Sequence, residues 1–180
     1  QIMGPKLPIV NPLLWEIGHV AWFYEQFILR MLYDESPILI NGDDLYDSIN
    51  IEHFDRWHLP MLELGEVKKY IDDVRNRLID RLGEISEKNF ASEKDSFIYQ
   101  FAAFHEDMHT EAYTYSRNTL NYPLPNFDTA NSLDKKILET GPLTGDVAIP
   151  GGKFKLGSTP NDHFLFDNEK WAHELMVYPF

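Results

Sequence analysis

Residues 104–115, FHEDMHTEAYTY, place two histidines, His105 and His109, four positions apart. On an α-helix that interval stacks two imidazoles on one face, one turn apart, which is the spacing of a metal-ligand pair. Phe97, Phe101, Phe104, Met108, Ala112 and Tyr115 recur at helical intervals around them. The stretch therefore reads as an amphipathic helix with both histidines on or beside its apolar stripe. Two buried imidazoles this close would repel each other if both were protonated, and each needs a polar partner. A shared cation meets both requirements. The spacing also suits a packed helix whose histidines are simply core, because HxxxH pairs arise often by chance.

A third histidine, His19, lies in residues 11–27, NPLLWEIGHVAWFYEQF, where Leu14, Ile17, Val20 and Phe27 mark a second amphipathic helix. Three helix-borne histidines, His19, His105 and His109, can meet at one ion. Zinc, iron and copper all accept neutral imidazole, and three such ligands leave positions open for substrate or dioxygen. A closed structural zinc site would more often use cysteine, which this chain lacks. An alternative uses two ExxH pairs, Glu16 with His19 and Glu106 with His109, as in dinuclear bundles, which need a further carboxylate from each of two other helices. Glu66 and Asp73 are available but read as solvent-facing. Glu25, Asp107 and Glu111 lie near the histidines in sequence and suit at most the orientation of an imidazole. Tyr113 and Tyr115 read as core.

The rest of the chain divides around these helices. Pro5, Pro8 and Pro12 make an extended lead-in. The spacing predicts a first helix from Asn11, as N-cap with Pro12 at the first helical position, to near Tyr33. Residues 34–64 read as a long irregular loop, a feature usually functional or buried. A second helix is expected from Glu66 to Leu82, stopped by Gly83, and a third from Ser92 to Leu120. Residues 123–140 are a polar linker. From Gly145 the texture changes to short alternating segments broken by glycine, which opens a β-containing domain. In the loop, Arg56 can hold a carboxylate through paired hydrogen bonds and Trp57 can face a quaternary ammonium, or both can simply anchor the loop. His53 and His58 beside them read as solvated, and His163 and His173 as surface or structural.

Composition narrows the function. With 180 residues, 43% of them hydrophobic, the chain can bury a real core. Sixteen basic against 29 acidic residues, a formal charge of −13, argue against nucleic-acid and anionic-membrane partners. Zero cysteine removes disulfides, thiolate clusters and a cysteine nucleophile. No leader peptide or bilayer-length apolar run is legible, so a soluble cytoplasmic protein is expected. The start at Gln1 and the strand-like pattern at Phe180 read as those of a piece of a longer protein.

Three separated blocks, WEIGHVAWFYEQF (15–27), FHEDMHTEAYTYSRNTLNYP (104–123) and GDVAIPGGKFKLGS (145–158) followed by FLFDNEKWAHELMV (164–177), resemble the iron-dependent sulfoxide synthases of ergothioneine biosynthesis. The resemblance implies an α+β chain. A DinB-like helical bundle over residues 1–122 and the 123–140 linker would precede the first part, residues 141–180, of a formylglycine-generating-enzyme-like domain of C-type-lectin-like fold. It further implies Fe(II) on His19, His105 and His109, and O2-dependent joining of sulfur from a cysteine-type thiol to the imidazole of trimethylhistidine (hercynine). The loop LYDSINIEHFDRWHLPMLEL (45–64) departs from the family's usual stretch and is similar to the branch that joins selenium in selenoneine formation. The family's catalytic tyrosine would lie beyond Phe180, so this piece alone would hold iron without turnover. A DinB-like thiol transferase or hydrolase with zinc or nickel on the same histidines is the competing enzyme. A non-catalytic protein with core histidines is the competing non-enzyme.

Overall fold

The computed structural model describes residues 3–88, 92–123, 125 and 144–180. The chain separates into two compact units, Gln1–Pro123 and Leu124–Phe180. The expected 123–140 linker lies almost wholly outside the described residues.

The first unit is helical. Helix α1 spans Leu13–Tyr24 and continues as a π-helix over Glu25–Arg30. It starts one residue later than the spacing predicts. Pro12 has an extended ψ of 127° and serves as the cap residue, while the Asn11 side chain accepts a hydrogen bond from Arg56 instead of capping the helix. The widened π turn carries Glu25, whose buried carboxylate accepts from the Ile38 backbone N–H at 2.8 Å and from the Tyr70 hydroxyl. Burial and the adjacent Glu25 carboxylate together push that hydroxyl far above its ordinary pKa.

Residues 34–64 are more ordered than expected. A five-residue helix α2, Gly42–Tyr46, and a 3-10 turn, His53–Trp57, interrupt them. Isolated helices so short are unstable, and side chains of the first helical segment hold this one in place. Trp15 Nε1 donates to the Leu45 carbonyl at 2.7 Å and Trp22 Nε1 to Asp43 Oδ1 at 2.8 Å. Arg30 grips the same Asp43 carboxylate with two bonds of 2.6 and 2.9 Å.

Helix α3 spans Leu64–Lys88 and helix α4 Glu93–Thr119. Ser92 and Asp95 form a reciprocal capping box at the start of α4, as the sequence predicts for that boundary. The expected stop at Gly83 is overturned, because α3 runs through it. Glycine ends a helix where a left-handed cap follows, whereas here Arg81 pairs with Glu84 across the glycine and the helix simply continues. The buried core draws on Trp15, Trp22, Phe23, Ile28 and Leu29 from the first segment, Leu45 and Tyr46 from α2, Tyr70 and Val74 from α3, and Ala102 from α4.

The apolar stripe expected on α4 is corrected in part. Ala112 is buried and Phe101 packs against the core as expected, whereas Phe97, Phe104, Met108 and Tyr115 are exposed by 40% or more, and Ala102 and Ser116 are buried instead. Small residues face inward because α1 already fills the space with tryptophan and phenylalanine rings, and volumes across a packed interface must complement each other.

In the second unit, β1 (Gly152–Leu156) and β2 (His173–Val177) form an antiparallel two-stranded sheet with Phe154 opposite Leu175. Among the described residues, no helix is long and apolar enough to cross a membrane.

A Cβ added at Gly83 would meet nothing within 4 Å. Replacing a mid-helix glycine by alanine removes roughly 0.5–1 kcal/mol of backbone-entropy cost. Gly83→Ala is therefore expected to raise the urea unfolding midpoint by an equivalent amount with the slope unchanged.

Candidate metal centre

His19 from α1 and His105 and His109 from α4 converge, each offering one ligand atom, with all three atoms within 4.8 Å of one another. Nε2 of His105 lies 3.3 Å from Nε2 of His19 and 3.1 Å from Nε2 of His109. Donors bound to one ion at about 2.1 Å, with angles between a right angle and the tetrahedral value, stand roughly 3.0–3.4 Å apart. The two separations from His105 therefore match neighbouring donors on a single cation, and all three ligand atoms lie close enough to share one.

Hydrogen bonds behind the rings set their tautomers. His19 Nδ1 lies 2.7 Å from the Tyr46 carbonyl, which can only accept, so Nδ1 carries the proton and Nε2 presents its lone pair inward. His109 Nδ1 lies 2.6 Å from Glu16 Oε1 and is fixed in the same sense. His105 Nδ1 is buried with no hydrogen-bond partner. The Nε2 atom of His105 can donate to one neighbour at most, so at least one inward lone pair is left facing another nitrogen. A cation relieves that arrangement.

Burial holds the His19 imidazole down to a pKa of about 4, against the partly compensating bond to Tyr46. Burial, then the neighbouring His109 and His19, hold His105 down to about 3. Both rings are therefore neutral near pH 7, the form that binds metals.

Aromatic packing fixes the rings laterally. Trp15 stacks on His19 with centroids 4.6 Å apart, and Phe23 stacks on His105 at 3.5 Å. Gly18 lets α2 come close enough to supply the Tyr46 carbonyl, since a Cβ there would sit 2.3 Å from the Tyr46 ring. His109 also borders a cavity of about 430 Å³ between α1, α3 and α4, lined by Ile17, Val20, Val74, Leu78 and Tyr113 among others.

The two ExxH pairs do not assemble a dinuclear site among the described residues. Glu106 accepts from the Tyr24 hydroxyl at 2.7 Å, Glu66 accepts from the Glu63 backbone N–H, and Asp73 pairs with Lys69. Arg56 stacks over Trp15, with its guanidinium carbon 4.1 Å from the ring centroid, and donates to Asn11 Oδ1 at 2.7 Å. Trp57 donates weakly to the Gly4 carbonyl at 3.4 Å. Both residues thus anchor the 3-10 turn to the lead-in, and the Trp15 ring stands in contact with both Arg56 and His19. Glu16 and Tyr46 are the residues around the centre whose part in it is not legible in sequence. Glu16 lies three positions before His19, on the same helical face, but its partner is 93 residues away. The Tyr46 contribution is a backbone atom, which leaves no residue-type signal at all.

A DinB superfamily model matches residues 5–112, the whole of α1, α2 and α3 and most of α4, including all three histidines. The chain belongs to the DinB superfamily. It is also similar to proteins named hercynine oxygenase. The one from Mycolicibacterium smegmatis is 28% identical over 177 residues, 96% of this chain and 39% of that protein. The one from Mycolicibacterium thermoresistibile is 28% identical over 177 residues, 96% and 38% respectively. The one from Mycobacterium tuberculosis is 28% identical over 106 residues, 58% and 24%. The DinB chain therefore spans about two fifths of the length of the curated relatives it matches over nearly its whole extent.

Two outcomes are expected from this geometry. Gly18→Ala should lower stability by at least about 2 kcal/mol, the scale of a steric insertion into a packed core. It should also weaken metal binding, because Tyr46 must retreat and release His19; urea unfolding and metal titration check the two effects. The second concerns pH. Unfolded imidazoles titrate near 6.5, whereas folded His19 and His105 titrate near 4 and 3. Between those values the unfolded chain binds protons that the folded chain refuses. The contribution of these two imidazoles to the stability of the metal-free protein is therefore fully present above about pH 6.5 and is lost as pH falls through about 4 for His19 and about 3 for His105. Unfolding free energies at about pH 7 and about pH 5 should show the drop, and His105→Asn should make it shallower.

Proposed function

We propose that this chain is the metal-holding part of a non-haem Fe(II), O2-dependent oxidoreductase acting on hercynine. In this reading it joins sulfur, or selenium, from a small donor to the hercynine imidazole. The observation that carries the proposal is the convergence of the Nε2 atoms of His19, His105 and His109. Similarity to hercynine oxygenases over 96% of the chain supports the substrate.

A set of three neutral imidazoles fits Fe(II), which accepts nitrogen donors and keeps its full charge for anionic or reducible ligands. When bound, the iron supplies Lewis acidity and redox chemistry toward O2 and the chalcogen donor. The protein's own contribution is orientation. Tyr46 and Glu16 keep the Nδ1 protons of His19 and His109 in place, so both rings present Nε2 without tautomeric exchange. Trp15, Trp22 and Phe23 surround His19 with ring surface, which excludes water from that side and fixes the ligand face.

Arg56 and Trp57 are the proposed substrate residues. Arg56 makes no ion pair among the described residues: its hydrogen bonds go to Asn11 and to the carbonyls of Ser48 and Ile51. Burial holds its pKa below the ordinary value, despite the raising influence of Glu16 and Glu52. A partly desolvated cation whose partners are neutral suits the carboxylate of a betaine, and the Trp57 ring suits its trimethylammonium group. Residues 141–180 are read as the opening of a formylglycine-generating-enzyme-like domain. The selenium branch rests on the 47–60 segment alone.

Anaerobic reconstitution with Fe(II) tests the proposal. Near-stoichiometric iron is expected, lost in each of His19→Ala, His105→Ala and His109→Ala, with an iron affinity or spectrum that changes when hercynine is added. Iron retained by all three variants would overturn the ligand assignment. An iron centre that is indifferent to hercynine would overturn the substrate.

A further inference from the structure

Glu16 is the least explained charged group near the centre. It is 4% exposed, in the first turn of α1, and among the described residues no lysine or arginine forms a salt bridge with it, although it and Arg56 influence each other electrostatically. The one ion-pair geometry it makes is with His109, at 2.6 Å. A carboxylate withdrawn from water without a cationic partner is strongly disfavoured. Glu16 nonetheless occupies the one place where its charge reaches the centre through an imidazole, with Nδ1–H on its side of the ring and Nε2 on the other.

The three rings are consequently backed in three different ways. His109 donates to a carboxylate, His19 to a neutral backbone carbonyl, and His105 Nδ1 has no partner. A hydrogen bond to a charged acceptor pushes more electron density onto the opposite nitrogen than one to a neutral acceptor. We infer that Glu16 is a positioning residue that makes His109 the strongest donor of the three and sets the affinity of the centre for a divalent cation, its buried charge being balanced across the ring by the bound ion. The inference rests on the three-histidine reading above and adds to it an unequal donor set.

The test uses the whole chain and Co(II) alone, whose visible ligand-field bands report donor strength, with Zn(II) competition for affinity. Glu16→Gln can keep a hydrogen bond to Nδ1 but removes the charge. It is expected to weaken Co(II) binding about tenfold and to move the ligand-field bands. Glu16→Ala removes both the bond and the charge and is expected to weaken binding about a hundredfold. Glu106→Gln, a neighbour in sequence that bonds Tyr24 instead, should stay within about twofold of the unaltered chain, a margin set well below the outer-shell effect. Thermal unfolding of the metal-free proteins separates binding from folding, and Glu16→Gln should be no less stable than the unaltered chain once an unbalanced buried charge is gone. Co(II) affinity and bands unchanged in Glu16→Gln, with binding still dependent on all three histidines, would overturn the inference and leave the ligand set standing. Co(II) binding that survives loss of the histidines would overturn both.

Discussion

The close approach of Tyr46 to the α1 backbone at Gly18 governs the geometry of the centre. Only a residue without a Cβ leaves room for that ring, and only with the ring in place does the Tyr46 carbonyl reach His19. Everything that secures α2 serves this one bond. The Trp15 indole ties the Leu45 carbonyl to the first helical segment, and the Trp22 indole and the Arg30 guanidinium share the Asp43 carboxylate. A helix of five residues with no stability of its own thereby becomes a fixed support for an imidazole.

The chain carries a large negative charge, yet burial keeps two of the three imidazoles at the centre, His19 and His105, uncharged near pH 7. Among its ion pairs, Glu35 joins Arg77 and Arg81 and so ties the turn after the π-helix to α3. Such pairs contribute little energy individually, and their effect is to fix how helices meet. Inside, Glu25 shares its carboxylate between a tyrosine and a backbone N–H, and Glu16 shares its own with a histidine. The two buried carboxylates therefore differ in kind: one fastens structural elements together, and the other faces the centre.

Much of this was legible in sequence, for identifiable reasons. The start of α4 at Ser92 was readable from helical spacing, and the Ser92–Asp95 capping box found there is a local pairing. His105 and His109 were readable as a pair because helical spacing alone brings them together. The inward face of α4 was misread because apolar spacing does not say which of two adjacent rows meets a neighbour. That depends on the rings α1 presents, with Phe23 against both His105 and Phe101. Gly83 misled because glycine permits a helix end without enforcing one. The Tyr46 carbonyl could not be found at all, since every residue offers an identical backbone oxygen.

The spacing of the histidines along the chain has a thermodynamic side. His19 and His105 are 86 residues apart and belong to different helices. On the proposed ligand set, an ion bound to both closes a loop containing the whole of α2 and α3, as a covalent cross-link would, and such closure grows more consequential with loop length. Because the unfolded chain cannot assemble the same three nitrogens, occupancy and folding become linked equilibria. Each tenfold rise in free ion above its dissociation constant deepens the native state by about 1.4 kcal/mol. On that ligand set the helical unit would be a domain whose resistance to unfolding is set partly by the metal supply of its surroundings.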